Sequence, residues 1–237
     1  MPITTVLFDL DGTLLPMDQD LFAMTYLKGL AARVAPAGYD PKALIDAVWK
    51  GTEAMIRNDG SCRNEERFWQ VFTGLMGEKA LQDMPLFDAY YREDFDQVRK
   101  VCGYTPAARE IIDLVKKLGL RPVLATNPFF PAIATQKRVR WAGLEPEDFA
   151  YITTYENSSY CKPNPAYFRE LLDTLGLAPG ECVMVGNDAH EDTAAAKLGI
   201  PVFLLTDCLL NRKNADISSV PHGGVEELKA FIRNLER

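Results

Sequence analysis

Two carboxylates stand directly after the first predicted strand of the chain. The apolar run Thr5–Phe8 ends at Asp9, and Asp11 follows two residues later, just before a glycine that lets the backbone turn. Like charges this close together are costly unless something neutralises them. Proteins commonly bind Mg²⁺, a hard cation, through one or two carboxylates together with phosphate oxygens of a substrate. The spacing of Asp9 and Asp11 therefore predicts a site for a divalent cation, with Mg²⁺ as the first candidate.

Polar side chains also follow three later predicted strands. Thr126 and Asn127 come after the second, where a hydroxyl and backbone amides are suited to bind a phosphoryl oxygen. Lys162 opens the stretch Lys-Pro-Asn-Pro, just before a predicted helix start. Asp188 and Asp192 follow the fourth strand, one helical turn apart, so both can face one crevice. Open parallel sheets bind ligands at the carboxyl ends of their strands, and we expect these side chains to converge there.

The elements that must position these residues indicate an α/β fold. Short apolar runs bounded by turn residues predict five strands. They cover residues 5–8, 121–125, 151–154, 182–185 and 200–205. Segments with helical periodicity separate the last four strands, and strands that alternate with helices form βαβ units and a parallel sheet.

A long helical stretch follows the first strand. From about residue 16 to residue 103 no strand is predicted, and breaks divide the stretch into about four helices, enough for a small bundle. Their apolar residues recur every three or four positions within 21–34, 44–55, 68–75 and 87–98. We therefore expect a core formed by residues 1–15 and 104–237, and a separate helical domain formed by residues 16–103.

Composition narrows the class of protein further. The 237 residues carry 33 acidic and 26 basic side chains, a net charge of -7, and 47% hydrophobic residues, which is typical of a folded globular protein. An acidic chain without a basic run argues against nucleic acid or a membrane as partner. The amino terminus lacks the basic region of a signal peptide, and no apolar run could cross a bilayer, so we expect a cytoplasmic protein. Five cysteines without metal-ligand spacing fit reduced thiols.

Taken in order, the polar residues at the strand ends resemble the four motifs of the haloacid dehalogenase (HAD) superfamily, in its branch of aspartate-nucleophile phosphohydrolases. The matching residues are Asp-Leu-Asp-Gly-Thr at 9–13, Thr126 of Leu-Ala-Thr-Asn, Lys162 of Lys-Pro-Asn-Pro, and Gly-Asn-Asp-Ala-His-Glu-Asp at 186–192. The first motif is a specific signal and a single Thr or Lys is a weak one, but their common order spans the whole core. The resemblance implies the HAD fold, a Rossmann-like parallel sheet with an inserted helical cap.

The resemblance also implies roles for the acidic residues. Asp9 would be the nucleophile that forms an aspartyl-phosphate, and Asp11 would act as general acid and then as general base. Asp188, a side-chain oxygen of Asp9 and the backbone carbonyl of Asp11 would bind Mg²⁺, with Asp192 supporting these ligands. The fourth motif reads Gly-Asn-Asp instead of the commoner Gly-Asp. Asn187 is therefore either a turn residue or a minor contact to the water around the metal.

Residues at the neighbouring strand ends would bind the phosphoryl group of the substrate. By the same resemblance, Thr126 with Asn127 would hydrogen-bond the phosphoryl group, and Lys162 would hold its charge and that of Asp9. Positioning and electrostatic stabilisation of this kind dominate phosphoryl transfer.

The helical insertion is similar to the C1 cap of this superfamily. That cap closes over the crevice, excludes water and contacts the leaving group, which gives substrate specificity. Such a cap favours small phosphorylated metabolites over phosphoproteins. The loop that contacts the substrate would be residues 58–64. Arg57 and Arg63 are candidates to bind an additional anionic group of the substrate.

Two other functions remain open from the sequence. A phosphomutase of the β-phosphoglucomutase type shares the four motifs and the cap class, and differs in passing the phosphoryl group to another hydroxyl instead of water. A catalytically silent HAD-fold regulatory or binding module would have no reason to keep the charges of Asp9, Asp11, Lys162 and Asp188. Dehalogenation is disfavoured because the dehalogenase branch lacks the acid found here at Asp11. The sequence names neither the substrate nor the oligomeric state.

Overall fold

A parallel sheet of five strands forms the centre of the computed structural model, which describes residues 2–235. The strand order is β2-β1-β3-β4-β5, and every neighbouring pair is parallel. The strands are β1 (Thr5–Phe8), β2 (Arg121–Leu124), β3 (Cys182–Gly186), β4 (Val202–Leu205) and β5 (His222–Gly223). Phe8 is in register with Leu124 on one side and with Val185 on the other, so three strands end at the same level. The predicted α/β class with a Rossmann-like sheet is confirmed.

The described residues form nine α-helices. They are α1 (Gln19–Val34), α2 (Pro41–Ile56), α3 (Asn64–Met76), α4 (Lys79–Gln82), α5 (Met84–Ala89), α6 (Ala107–Lys117), α7 (Ala132–Trp141), α8 (Pro165–Leu175) and α9 (Val225–Arg233). None of the helices between residues 2 and 235 is long and apolar enough to cross a membrane.

One predicted strand is wrong and one strand was not predicted. In the segment 151–154 only Ile152 pairs with β2, through an isolated parallel bridge to Leu124. The pairing stops because the next N–H that would face β2, that of Tyr155, donates to the carbonyl of Phe130 at 3.1 Å. The short strand β5 has two residues, and two residues carry no periodicity that a sequence could show.

The long insertion between β1 and α6 is helical, as predicted, but its last part is less regular. The fourth predicted helix divides into α5, a π-helical turn at Tyr90–Asp94 and a 3-10 helix at Phe95–Val101. The first helix, α1, starts after Asp18, whose carboxylate accepts hydrogen bonds from two backbone N–H groups of the first turn. Leu21 and Met24 of its predicted apolar stripe are 41% and 54% exposed, so the buried face is narrower than the sequence indicates.

Aromatic side chains join the insertion to the region after β2. The ring of Tyr26 packs edge to face on that of Phe130, with 5.2 Å between the ring centroids, and the centroid of Phe22 lies 6.0 Å from that of Phe130. Phe95 stacks on Trp141 of α7 at 5.1 Å. Such pairs add about 0.5–1.5 kcal/mol beyond the area they bury, so the insertion is firmly packed on one side of the crevice.

The insertion is attached through two neighbouring segments. Met17 and Cys102 form an antiparallel bridge, and the N–H of Gly103 donates to the carbonyl of Pro16 at 2.7 Å. The chain therefore leaves and re-enters the sheet region at one place. We propose that residues 16–103 form a separate cap domain on a core of residues 1–15 and 104–237, because both crossings lie at this point.

Asp148 anchors the turn after α7 to α6. Its carboxylate accepts hydrogen bonds from Arg109 at 2.6 and 2.9 Å and from Lys116 at 2.6 Å. Burial works against the charged form of Asp148, but Arg109 and Lys116 outweigh it and hold the pKa of this carboxyl well below its usual value.

Replacing Asp148 by Asn should lower the free energy of unfolding by about 1–2 kcal/mol at pH 7, because it leaves two cations without their shared partner. A depressed pKa contributes stability above the unfolded value of 3.8, and that stability is lost as pH falls further. The difference from wild type in urea unfolding should therefore shrink between pH 4 and pH 2. The exposed neighbour Glu147 gives the control, Glu147→Gln. A difference that is constant over this pH range would contradict the role of the charge.

Candidate active site

A tight turn at the end of β1 exposes Asp9 to the crevice. Asp9 is still held by the sheet, since its N–H donates to the carbonyl of Val185 at 2.9 Å. Two residues further on, Gly12 has a φ of +89°, and a Cβ at this position would overlap the side chain of Asn187. Only glycine combines this backbone conformation with such a close approach. Asn187 then accepts a hydrogen bond from Thr13 at 2.9 Å, which ties the β1 turn to the loop after β3.

A buried lysine joins two carboxylates beside this turn. The Nζ atom of Lys162 lies 2.8 Å from Asp9 Oδ1 and 2.7 Å from Asp192 Oδ1. The side chains of Lys162 and Asp192 are each 1% exposed and that of Asp9 is 10% exposed. A cation so deeply buried needs a carboxylate partner, and Lys162 has two. Residues that follow β1 and β3 thus meet here with Lys162 from the loop before α8.

Asn127 holds Lys162 from the backbone side. Its side chain accepts a hydrogen bond from the Lys162 N–H at 3.1 Å and donates to the Lys162 carbonyl at 3.2 Å. The same amide donates to Glu191 at 2.7 Å. The side chain of Asn127 therefore positions Lys162, and the phosphate contact predicted for Asn127 is one through its backbone amide.

The loop after β3 surrounds the second carboxylate of this cluster. Asp192 Oδ2 accepts hydrogen bonds from the N–H groups of Asn187 at 3.0 Å and Asp188 at 2.9 Å. With one oxygen on the loop backbone and the other on Lys162, Asp192 links the β3 loop to the lysine. The support of metal ligands by Asp192 stays a prediction.

Asp11 forms an ion pair with an arginine that the sequence analysis did not single out. Arg138, on α7, is fully buried and contacts Asp11 Oδ2 through one guanidinium nitrogen. Its guanidinium also lies over the ring of Phe130, 4.4 Å from the centroid. Asp11 Oδ1 is buried and has no hydrogen-bond partner within residues 2–235. The backbone carbonyl of Asp11, predicted to face the metal, accepts a hydrogen bond from Gln19 at 3.1 Å.

Asp188 and Thr126 border the same crevice. Asp188 Oδ1 accepts hydrogen bonds from the N–H groups of His190 at 2.7 Å and Glu191 at 2.9 Å, which closes the turn after β3. The backbone carbonyl of Thr126 accepts from the hydroxyl of Tyr167 at 3.0 Å, and the residue is 2% exposed. Thr126 and Asp188 both line the cavity above Asp9.

The electrostatics of this cluster are dominated by burial and by excess negative charge. Burial raises the pKa of Asp9 to about 7; Lys162 opposes this increase, and Asp192 and Asp11 add to it. Burial likewise raises the pKa of Glu191 to about 8. Burial disfavours the charged form of Lys162 as well, but Asp192 and Asp9 outweigh it and hold the pKa of the lysine well above its usual value. An additional cation near Asp9 would relieve this repulsion.

A cavity of about 520 Å³ lies above the strand ends. Its floor is formed by the acidic cluster, with Asp9, Asp11 and Thr126 among the lining residues. Its walls come from α1, α2 and α3 of the insertion and from the segment after β2. The volume is within the usual range for a small-molecule site.

Comparison with known proteins decides the family. The model of the haloacid dehalogenase-like hydrolases matches residues 3–199, most of the chain. This chain belongs to the haloacid dehalogenase-like hydrolases. The match includes the ends of β1, β2 and β3 and therefore every residue of the acidic cluster. The resemblance drawn from the four motifs is confirmed.

Relatives of this hydrolase carry phosphatase names. The pyrophosphatase PpaX of Bacillus velezensis is 24% identical over 197 residues, which cover 83% of this chain and 80% of the relative. The phosphoglycolate phosphatase of Neisseria gonorrhoeae is 27% identical, with coverages of 82% and 76%. A HAD phosphatase from Thermococcus onnurineus shares the fold with a TM-score of 0.60 at 18% identity, over 99% of this chain and 100% of its own. These matches support the predicted enzyme class, a phosphoric monoester hydrolase.

The oxygen donors of the hydrolase fit Mg²⁺ in chemical type. Carboxylates of Asp9 and Asp188 and the carbonyl of Asp11 are hard ligands. Burial is the main cause of the raised pKa of Asp9, and the neighbouring carboxylates of Asp192 and Asp11 add to it. In the part of the chain that the structure describes, no group of three or more His, Cys, Asp or Glu side chains is gathered to hold a metal. The ligands are thus of the right kind, with side chains still engaged by Lys162 and by backbone N–H groups.

Arg57 and Arg63 lie outside the cavity. Arg63 donates to Glu170 at 2.8 Å and to the carbonyl of Asn157 at 3.0 Å, which fixes it between α3 and α8. Arg57 is exposed and pairs with Glu53 one turn earlier in α2. The structure therefore does not bring either arginine to the site where the sequence analysis expected a contact with substrate.

Arg138 and Gln19 are the residues of the hydrolase that sequence reasoning missed. A signal for Arg138 exists, because it falls on the buried face of α7 beside Ala134, Thr135 and Val139. An arginine in an otherwise buried stripe needs an acidic partner, and Asp11 provides it. Gln19 carries no comparable signal, since it is the first residue of an ordinary helix.

Gly186 tests the arrangement around Asp192. A Cβ at position 186 would overlap the carboxylate of Asp192, which is fixed by Lys162 and by the loop backbone. We expect Gly186→Ala to lower the free energy of unfolding by about 1–3 kcal/mol, and to reduce kcat/KM by at least about 10-fold because Lys162 is displaced. Gly180→Ala is the matched control, since nothing lies within 4 Å of its added Cβ. Equal effects of the two substitutions would contradict this geometry.

Proposed function

We propose that this hydrolase is a Mg²⁺-dependent phosphatase that cleaves small phosphate monoesters through an aspartyl-phosphate on Asp9. The observation that carries the proposal is the Asp9 carboxylate on the floor of the cavity, oriented by the buried Lys162 at 2.8 Å and followed two residues later by Asp11. A carboxylate nucleophile needs this kind of orientation and an acid for the leaving group. Both are within the crevice.

In the first step an oxygen of Asp9 attacks the phosphorus, and the bond between phosphorus and the ester oxygen breaks. Asp11 donates a proton to the departing oxygen. Because Arg138 occupies Asp11 Oδ2, the unpartnered Oδ1 is the atom that holds and transfers this proton. Lys162 and Thr126 stabilise the negative charge on the phosphoryl oxygens during the transfer.

In the second step water attacks the phosphorus of the aspartyl-phosphate. Asp11 Oδ1 takes the proton of that water, the acyl-phosphate bond breaks, and inorganic phosphate leaves with Asp9 restored. Mg²⁺, held by Asp9, Asp188 and the carbonyl of Asp11, would neutralise charge on the phosphoryl oxygens in both steps. The helices of residues 16–103 would act as a cap that keeps bulk water from the crevice.

Release of inorganic phosphate tests this proposal. The purified protein should release phosphate from p-nitrophenyl phosphate and acetyl phosphate in the presence of Mg²⁺, lose this activity in excess chelator, and regain it when Mg²⁺ is restored. Activity that persists without divalent metal would contradict the role of Mg²⁺. A rearranged sugar phosphate without release of phosphate would indicate a phosphomutase instead. No turnover of any monoester would indicate a silent module.

A further inference from the structure

The walls of the cavity above Asp9 are largely apolar. They include aromatic and aliphatic side chains from the helical insertion and from the segment after β2, among them Trp49, Ile56, Phe68, Trp69, Phe87 and Phe130. Trp49 is 51% exposed and Ile56 is 41% exposed, so both carry apolar surface that the protein itself leaves uncovered. A ligand bound above Asp9 would cover this surface and gain the free energy of its burial.

Cations are scarce around the same cavity. Within residues 2–235, the lysines and arginines that line it are Arg212 and Lys213, on the loop after β4. Arg212 is paired with Asp20 at 2.7 Å, and Lys213 Nζ lies 2.7 Å from a ring nitrogen of His190. No lysine or arginine of the described insertion lines the cavity.

Negative charge on the cavity wall disfavours substrates that carry a second anionic group. The insertion contributes Asp20 and Asp88 to the lining, and Asp88 is only loosely paired with Arg92 at 3.7 Å. A carboxylate or a second phosphate on the substrate would lose its hydration beside these two carboxylates, and the insertion offers it no cation. An apolar group would meet matching surface instead. The wall thus selects against substrates that carry a second anion.

We propose that the substrate is the phosphate monoester of an uncharged, apolar alcohol, with its hydrocarbon part packed against Trp49, Ile56 and Trp69. This inference rests on the proposed phosphatase function and adds the class of the leaving group. The apolar part lies between the insertion and the sheet, and the phosphate lies on Asp9 at the floor. A two-carbon leaving group such as glycolate offers little apolar surface to this wall and carries a charge that the insertion does not neutralise.

A series of primary-alcohol monoesters measures this preference without a large change in leaving-group chemistry. We expect kcat/KM to rise about 3-fold or more for each added CH₂ from methyl through butyl to hexyl phosphate. Benzyl phosphate should exceed 2-phosphoglycolate and O-phosphoserine by at least about 100-fold. Acetyl phosphate, small and activated, reports the catalytic machinery alone. Turnover of acetyl phosphate together with a preference for 2-phosphoglycolate or O-phosphoserine would overturn this inference and leave the phosphatase proposal standing. No turnover of any of these compounds would overturn both.

Substitutions in the wall locate the effect. Trp49→Ala removes exposed apolar surface, and Ile56→Arg places a cation beside it; each should lower the ratio of kcat/KM for benzyl phosphate to that for 2-phosphoglycolate by at least about 10-fold. Leu75→Ala is the matched control, because Leu75 is 48% exposed on α3 and does not line the cavity. An unchanged ratio in both wall variants would overturn the placement of the apolar group.

Discussion

Asp9→Asn should abolish phosphate release, with a decrease in kcat of at least about 10³-fold, while the protein remains folded. The amide cannot form the acyl-phosphate, and the rest of the site cannot replace a covalent step. Its stability should not fall, because a buried carboxylate with a raised pKa is replaced by a neutral group of the same shape and Lys162 keeps Asp192 as its partner. Initial rates with acetyl phosphate and a urea unfolding curve measure the two quantities.

Asp173→Asn is the matched control for this variant. Asp173 is exposed on α8 and does not line the cavity, so its substitution by Asn makes the same change of charge away from the site. We expect its rates to equal those of wild type. If Asp9→Asn hydrolysed acetyl phosphate at the wild-type rate, Asp9 would not be the nucleophile, and the proposed mechanism would fail at its first step.

Lys162→Met should remove both activity and much of the stability. The substitution leaves Asp9 and Asp192 facing each other in a buried site, and breaking a buried ion pair from one side costs about 3–5 kcal/mol. Chemical unfolding at pH 7 measures this loss, and the phosphate assay measures the activity. Lys117→Met is the control, because Lys117 is an exposed lysine at the end of α6.

The double variant Lys162→Met with Asp192→Asn measures the coupling free energy between these two residues. Removing one carboxylate relieves the repulsion, so the double variant should lose less stability than the sum of the two single variants, by about 1–3 kcal/mol. Additive losses would contradict the view that Lys162 serves to neutralise two acids. In that case the contribution of the lysine would come from its ion pair with Asp9.

The position of the site could be predicted because it depends on short-range rules. Asp9, Lys162 and Asp192 each stand just after a strand or before a helix, and parallel strands bring those positions to one edge. The bounds of the central strands followed for the same reason, since their residues are continuously apolar and buried.

Other features depend on contacts between distant residues, which no local pattern records. Arg63 lies against Glu170, more than a hundred positions away, and this pairing removes it from the crevice. Arg138 reaches Asp11 across a similar separation. The segment 151–154 has the composition of a strand, but its pairing ends after one bridge, because the N–H of Tyr155 donates to the distant carbonyl of Phe130 instead of to β2. In each case tertiary contacts decide the outcome.

The adjacent crossings at Pro16 and Gly103 also bear on how the chain folds. β1 pairs with β2, whose first residue is 116 positions beyond Thr5. Closing so long a loop in a disordered chain is slow, and non-local pairings of this kind set folding rates. The helices in between combine local contacts, as between α2 and α3, with distant ones, as between Tyr26 of α1 and Phe95. In the folded protein the hydrogen bond from Gly103 to Pro16 holds the two ends of the insertion side by side. We therefore expect assembly of the insertion to shorten the effective loop between β1 and β2 and to speed their pairing.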